Sequence, residues 1–237
     1  MSKTIIVTGA SRGIGHEIVK IAEKKGHRVY SISRNIKALK DYSFKYPRQV
    51  DLANEDSIDK FSSEVKNDGV KVDALINNAG AFLNKPFEKI SKKEFEYIFQ
   101  VNVFGLSSIT RKVLPIIDSK GHIVNISSVA SEIGNGISPS YNASKAYQAN
   151  YLQGLRFKAF RMKVPIFLTD VRPGFVDTEI LMGNKDKLFW VAPLEKACKQ
   201  IVNAIDRKKR VVYITKRWKI ISLLIKTLPE RIIRLFF

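Results

Sequence analysis

The stretch Thr4-Ile5-Ile6-Val7-Thr8-Gly9-Ala10-Ser11-Arg12-Gly13-Ile14-Gly15 decides how the rest of the chain is read. Residues 4–8 are a short apolar run rich in β-branched side chains, which favours a buried strand. Over residues 13–25 apolar positions recur at helical spacing, with no linker in between. The three glycines at the junction meet separate needs: a tight turn, close approach of the backbone to a pyrophosphate, and packing of helix on strand. The start of a helix presents unpaired N–H groups and a partial positive charge, so it suits phosphate. Taken alone, the same loop also fits a plain turn.

The alternation continues downstream. Strand-like runs fall at 28–33, 48–52, 73–76, 122–127, 165–171 and 211–215. Helical stretches fall at 54–67, 91–117, 141–161 and 193–206. Strands alternating with helices imply a parallel sheet covered on both faces. The expected fold is α/β: a Rossmann-like, doubly wound sheet of about seven parallel strands. Residues 35–47 leave room only for an abbreviated helix. No repeat or linker interrupts the pattern, so residues 1–215 read as one domain and 216–237 as a basic amphipathic tail.

The 237 residues are 45% hydrophobic and 27% charged, a globular composition. A net charge of +19 predicts attraction to something anionic: a phosphorylated cofactor, nucleic acid or a membrane surface. The single cysteine, Cys198, excludes an internal disulfide and suits a reducing, cytoplasmic setting. The first residues hold too short an apolar run for a signal core, and no run is long enough to span a bilayer. His16, His27 and His122 are scattered and make no ligand set with one cysteine, so no metal is expected.

Cofactor choice turns on the end of the second strand, Ile32-Ser33-Arg34-Asn35. An acidic residue there bonds the ribose 2′-hydroxyl of NAD. Here Ser33 takes that place and Arg34 follows, while Arg12 lies inside the glycine loop. Guanidinium groups bind phosphate in bidentate fashion, so the pair favours the 2′-phosphate of NADP(H) over two merely solvated arginines.

Tyr141 and Lys145 stand four apart on one helix face. An ammonium beside a phenol favours the phenolate, so the tyrosine pKa is expected to fall. The small residues Asn142-Ala143-Ser144 between them leave room for a ligand. Ser128 follows the fifth strand, at the edge where parallel sheets bind ligands, and can donate to an oxygen that gathers charge. Ser127 beside it reads as a strand residue facing the sheet. Asn77-Asn78-Ala79-Gly80 ends the fourth strand at the same edge, and Asn102 sits inside a largely apolar helix where a buried amide must find a partner.

In these features the sequence resembles the short-chain dehydrogenase/reductase family over residues 4–212. The resemblance rests on the Gly9–Gly15 loop, Asp51-Leu52, Asn77-Asn78-Ala79-Gly80, Asn102, Ser128, Tyr141 with Lys145, and Pro173-Gly174. It implies a catalytic group of Asn102, Ser128, Tyr141 and Lys145. Tyr141 would be the acid/base and Ser128 would hold the substrate oxygen. Lys145 would bind the nicotinamide ribose and tune the tyrosine, and Asn102 would anchor a water in a proton relay. Gly9, Ser11, Arg12, Gly13, Ile14 and Gly15 would take the phosphates, with Ser33 and Arg34 at the 2′-position. Asp51 would meet the adenine amino group beside Leu52. Asn78 and Ala79 would line the adenosine ribose, with Gly80 giving clearance. Pro173 and Gly174 would lie near the nicotinamide, Val176 would offer its backbone to the carboxamide, and Thr178 would reach the carboxamide or pyrophosphate. Helices 91–117 and 141–161 would form a dimer or tetramer surface.

Residues 175–191 are expected to form a short substrate lid containing Ile180, Leu181, Met182, Leu188, Phe189 and Trp190, interleaved with Lys185, Asp186 and Lys187. Apolar residues there suit an apolar substrate body, or simply a helix packed on the domain. From Arg207 to Phe237 ten Lys/Arg residues face one acid, Glu230. Trp218, the apolar run and its basic rim suit an interfacial helix on anionic lipid, interrupted at Pro229. A terminal helix packed on the fold or in a subunit contact suits them equally, and nucleic acid has no motif in its favour. The leading expectation is an NADP(H)-dependent oxidoreductase acting on a small-molecule carbonyl or alcohol. The alternative is a cofactor-binding sensor or scaffold of the same fold at a membrane, with little catalysis.

Overall fold

The structure is a computed structural model that describes residues 2–83, 85–181 and 188–233. Met182, Lys185, Asp186 and Lys187 of the expected lid, and residues 234–237 of the tail, lie outside the described residues. Seven strands pair in parallel in the order β3-β2-β1-β4-β5-β6-β7, as the alternation predicts. They are β1 (Thr4–Thr8), β2 (Arg28–Ser33), β3 (Tyr46–Gln49), β4 (Val72–Asn77), β5 (Ile117–Ile126), β6 (Phe167–Pro173) and β7 (Val211–Ile214).

A parallel sheet must be covered on both faces. Alternation along β1 supplies both: Ile5 and Val7 enter one apolar cluster and Ile6 the other. On the first face lie α1 (Gly13–Lys24), α2 (Ile36–Asp41) and α7 (Leu194–Asp206), which contribute Ile18, Val19, Leu39, Ala197 and Ile201. On the second lie α3 (Glu55–Asn67), α5 (Leu106–Val113) and α6 (Pro139–Arg161), which contribute Ile58, Phe61, Ile109, Val113 and Leu152. The abbreviated α2 starts where the Asn35 side chain accepts from Ala38 N. Burying Cys198 on α7 pushes its thiol pKa up to about 12, so it is a packing residue.

Four elements differ from expectation, the simplest being β5, which starts at Ile117 and not at 122. The strand expected at 48–52 is β3 at 46–49, because Asp51 leaves the sheet. Its Oδ1 accepts from Ala53 N at 2.9 Å and its N–H donates to Ser57 Oγ at 3.0 Å. The helix expected at 91–117 is two helices, α4 (Lys92–Phe99) and α5, joined by a π-helical turn over Gln100–Gly105. At its centre the Asn102 side chain accepts from Ala81 N at 2.7 Å and donates to Ala81 O at 2.9 Å, pairing with that residue as a strand would. The strand expected at 165–171 is β6 at 167–173, which carries Arg172 and Pro173 into the sheet edge.

The tail forms α8 (Trp218–Thr227) and, past Pro229, the short α9 (Glu230–Ile233). Trp218 and Ser222 are buried, so α8 packs on the fold. Gly174 carries no side chain because a Cβ there would sit inside the Trp218 indole. Among the described residues no helix is long and apolar enough to cross a membrane. None of them forms a group of three or more metal-type ligands.

Candidate active site

Strand order reverses beside β1: the chain leaves it for β2 and β3, then returns to β4 on its other side. That reversal leaves a crevice at the carboxyl ends of the strands. A cleft of about 1070 Å³ occupies it, at the upper end for a ligand site and roomy enough for a dinucleotide with a substrate. Of the catalytic and cofactor residues expected from sequence, all line the cleft except Gly15 and Asn102; of the lid, Leu181, Leu188 and Phe189 line it and Trp190 does not. Gly15 lies behind the turn against the Gly9 carbonyl and the Asn78 amide, where its bareness serves packing. Asn102 lies behind Gly80 and Ala81.

The cofactor half is built from backbone. Gly9 has φ of +68°, and a Cβ on it would stand 2.8 Å from Ala79 Cα. α1 begins with no side-chain cap and no acid in its first turn, so its free N–H groups and positive end face the cleft. Asn78 lines the cleft and also holds the turn: its Nδ2 donates to Thr8 O at 3.0 Å and Gly9 O at 3.1 Å, tying β4 to the turn. Thr8 Oγ1 returns the tie by accepting from the N–H groups of Asn78 and Ala79, both at 2.9 Å. Sequence reading passed over Thr8, although a hydroxyl at the last strand position before the glycines is its signal. Ser33 carries no charge, and its Oγ accepts from Asn35 N at 3.2 Å. Arg34 stacks 5.2 Å above the Tyr97 ring, and Arg12 pairs with Glu179 at 3.1 Å. Both guanidiniums border the cleft, a donor set that fits a cofactor phosphate.

The chemical half sits on α6 and on the loop after β5. Ser128 hydrogen-bonds the Tyr141 phenol. The Phe82 ring packs edge-on against Tyr141 with centroids 5.0 Å apart. Contrary to expectation, the Tyr141 pKa is pushed up, to about 12: burial raises it and outweighs the Ser128 hydrogen bond. Lys145 does not offset this, because its Nζ lies 5.7 Å from the ring centroid and donates to Ile126 O and to Gln148 Oε1, each at 3.1 Å. Burial pulls the Lys145 pKa down to about 8, with Asp170 opposing. Tyr141, Asn142 and Lys145 line the cleft, and the polar side chains between the pair are bonded. Asn142 Nδ2 donates to Ile133 O at 2.7 Å, while Ser144 Oγ donates to Tyr141 O at 2.7 Å and accepts from Asn102 Nδ2 at 2.9 Å.

Ser127, expected to face the sheet, opens a chain of buried polar contacts. Its Oγ donates to Asp170 Oδ1 at 2.5 Å, and Asp170 Oδ2 accepts from Arg172 Nε at 2.7 Å. Arg172 also pairs with Glu132, whose side chain is only 3% exposed. Glu132 accepts from Tyr213 at 2.6 Å and pairs with Lys226 of α8 at 2.6 Å, and Tyr213 meets Ser222 of α8 at 2.9 Å. Burial works to raise the Glu132 pKa, yet Lys226, Tyr213 and Arg172 win and hold it at about 2. This network pins α8 over the far end of the cleft. There Trp218, Ile221, Ile225 and Leu228 line it, facing Phe175, Leu181, Leu188 and Phe189. Trp218 lies 5.5 Å from both Phe175 and Phe189 between ring centroids. The tail is therefore a wall of the site.

The cleft thus presents an uncapped helix end to an anion, and a protonated phenol and a hydroxyl to one oxygen atom. Comparison with known proteins agrees. The short chain dehydrogenase family model matches residues 3–188. The NADP-dependent 3-hydroxy acid dehydrogenase YdfG of Escherichia coli is 31% identical over 180 residues, covering 73% of this chain and 72% of its own. The ketoacyl reductase HetN of a Nostoc species is 28% identical over 233 residues, covering 90% of this chain and 79% of its own. A short chain dehydrogenase from Burkholderia cenocepacia, solved with NADP, superposes with a TM-score of 0.83 over 95% of this chain and 93% of its own, at 24% identity. The chain belongs to the short-chain dehydrogenase/reductase family, oxidoreductases that use a nicotinamide cofactor on hydroxyl and carbonyl groups.

Proposed function

We propose that this protein is an NADP(H)-dependent reductase of carbonyl compounds with an apolar body. The observation that carries the reading is a half-buried, protonated Tyr141 beside Ser128, at the floor of a cleft whose far wall is apolar and aromatic. A phenol with its pKa near 12 keeps its proton at neutral pH, so it is ready to act as an acid. Alcohol oxidation would instead need the phenolate.

The nicotinamide supplies the hydride when bound. Tyr141 donates its proton to the substrate oxygen, and Ser128 Oγ–H steadies the charge that gathers there. Lys145 Nζ has two N–H groups engaged and one left to reach a ribose hydroxyl. Ser11, Gly13 and Ile14 offer the phosphates the loop and helix N-terminus, and Asp51, Leu52, Asn78, Ala79 and Gly80 flank the adenosine end. Pro173, Gly174, Val176 and Thr178 flank the nicotinamide end. The 2′-phosphate falls to Arg34 and Arg12, since Ser33 offers no carboxylate to repel it. The name of the Escherichia coli relative, NADP-dependent, supports this choice.

Stopped NADPH absorbance against aldehydes, ketones, quinones and 3-oxoacyl thioesters tests the reading. Turnover is expected, rising with the apolar bulk of the substrate. Tight NADPH binding with no turnover on any of them favours the cofactor-binding sensor instead.

A membrane role has its own observation. On the outer face of α8, Ile220 and Leu223 are each 64% exposed among Lys216, Arg217 and Lys219. An apolar strip with a basic rim suits an anionic lipid surface. Ile220→Ser with Leu223→Ser should abolish sedimentation with phosphatidylserine vesicles at low salt; undiminished sedimentation rejects the idea. Exposed Phe104, Phe157 and Phe160 support a homo-oligomer surface, which light scattering checks.

A further inference from the structure

We infer that Gln148 is a positioning residue, which holds the Lys145 ammonium charged and aimed into the cleft by bridging it to the Asn102 carbonyl. The inference rests on the reading above only in taking Lys145 to serve the reaction.

Gln148 lies three residues after Lys145 on α6 and is 1% exposed. Its Oε1 accepts from Lys145 Nζ at 3.1 Å, and its Nε2 donates to Asn102 O at 2.9 Å. Both ends of one amide are therefore fixed, each by a different element. One turn on, Leu152 is fully buried in the apolar cluster, so this face of α6 is otherwise core. An amide costs free energy in such a place unless it is bonded at both ends.

The partner carbonyl comes from an unusual place. Asn102 lies in the π-helical turn over Gln100–Gly105, where the regular backbone ladder is disturbed. Its side chain is spent on Ala81 and Ser144, so only its carbonyl faces Gln148. The amide thus spans the distance between helix and ammonium without adding a charge.

Lys145 needs such a partner. It is 4% exposed and lines the cleft beside Gly80, where a Cβ would stand 3.5 Å from its Nζ. The charged groups around it are few: Asp170 on β6 favours the ammonium, and Tyr141 on α6 is neutral at working pH. Burial already favours the neutral amine. Removing the Gln148 oxygen takes away one of the two acceptors of the ammonium and leaves Ile126 O.

The test titrates Lys145 in cofactor-free protein by the lysine 13Cε NMR shift, assigned by its loss in Lys145→Met. Gln148→Leu should lower the midpoint by about one pH unit, and Gln148→Glu should raise it by at least as much. The alkaline limb of kcat with NADPH should move the same two ways. A role in packing alone moves neither midpoint; unmoved midpoints, or shifts in one direction for both variants, overturn the inference. If neither variant folds by circular dichroism, the wild-type amide decides. Slow exchange of the Gln148 side-chain N–H protons upholds the bridge, and exchange at solvent rate overturns it. The titration needs no substrate, so a protein without turnover can still uphold or overturn the inference.

Discussion

The two ends of the cleft are made differently. The cofactor end is backbone: a strand end, an uncapped helix and glycines that let neighbours approach. The substrate end is side chains: an aromatic cluster around Trp218 and a buried ion network around Glu132. Backbone sites tolerate drift in side chains and bind what the family shares. Side-chain walls change with single substitutions, so the protein's individuality lies there.

The largest expected effect tests whether chemistry belongs to the floor between the two ends. Tyr141→Phe should lower kcat by about 10²–10⁴ while the NADPH dissociation constant holds, read by fluorescence titration. Surviving turnover would place the acid elsewhere. Next comes the network that holds the substrate wall. Glu132→Ala takes one of two carboxylates from buried Arg172, leaving Asp170, and should lower unfolding free energy by about 1–3 kcal/mol in urea melts. NADPH affinity should change far less, because the partners of Glu132 are Arg172, Tyr213 and Lys226 and not the glycine loop.

The same carboxylate gives a pH signature. Its folded pKa is depressed to about 2, so its stabilisation is fully present above the ordinary value near 4.5 and is lost as pH falls towards 2. Glu132→Gln should melt with a shallower pH dependence across that window, measured by scanning calorimetry. Equal slopes would show that the network does not hold the wall.

Smaller effects sharpen the contrast. Arg34→Ala removes a charge-assisted contact worth about 1.5–3 kcal/mol, so NADPH should bind roughly 10–100-fold more weakly and NADH unchanged. Phe189→Ala should raise KM a few-fold for bulky apolar carbonyls and leave small ones alone, as expected for about 1 kcal/mol of lost apolar contact.

The same contrast explains what was legible in the sequence. The glycine loop, the absent carboxylate at Ser33 and the Tyr141–Lys145 pair lie within single elements, so spacing alone exposes them. Glu132, Asp170, Arg172, Tyr213, Ser222 and Lys226 come from four separated segments, and nothing local marks them as partners. The direction of the Tyr141 pKa was misread for a related reason. Spacing puts an ammonium one turn away, but only the fold turns that ammonium to Ile126 O and Gln148 and buries the phenol. The π turn was equally hidden, since Asn102 pairs with Ala81, far from it in the chain.

The origin of the substrate wall also sets an order of events during synthesis. The cradle for the dinucleotide is complete once the segment through Thr178 has been translated, whereas α8 follows β7. Synthesis runs from the N-terminus at about 5–20 residues per second. A growing or prematurely stopped chain would therefore pass through a stage that grips its coenzyme yet has no back to its substrate pocket. A ribosome arrested after residue 215 would carry that intermediate, and NADPH could act as its folding ligand before any substrate could bind.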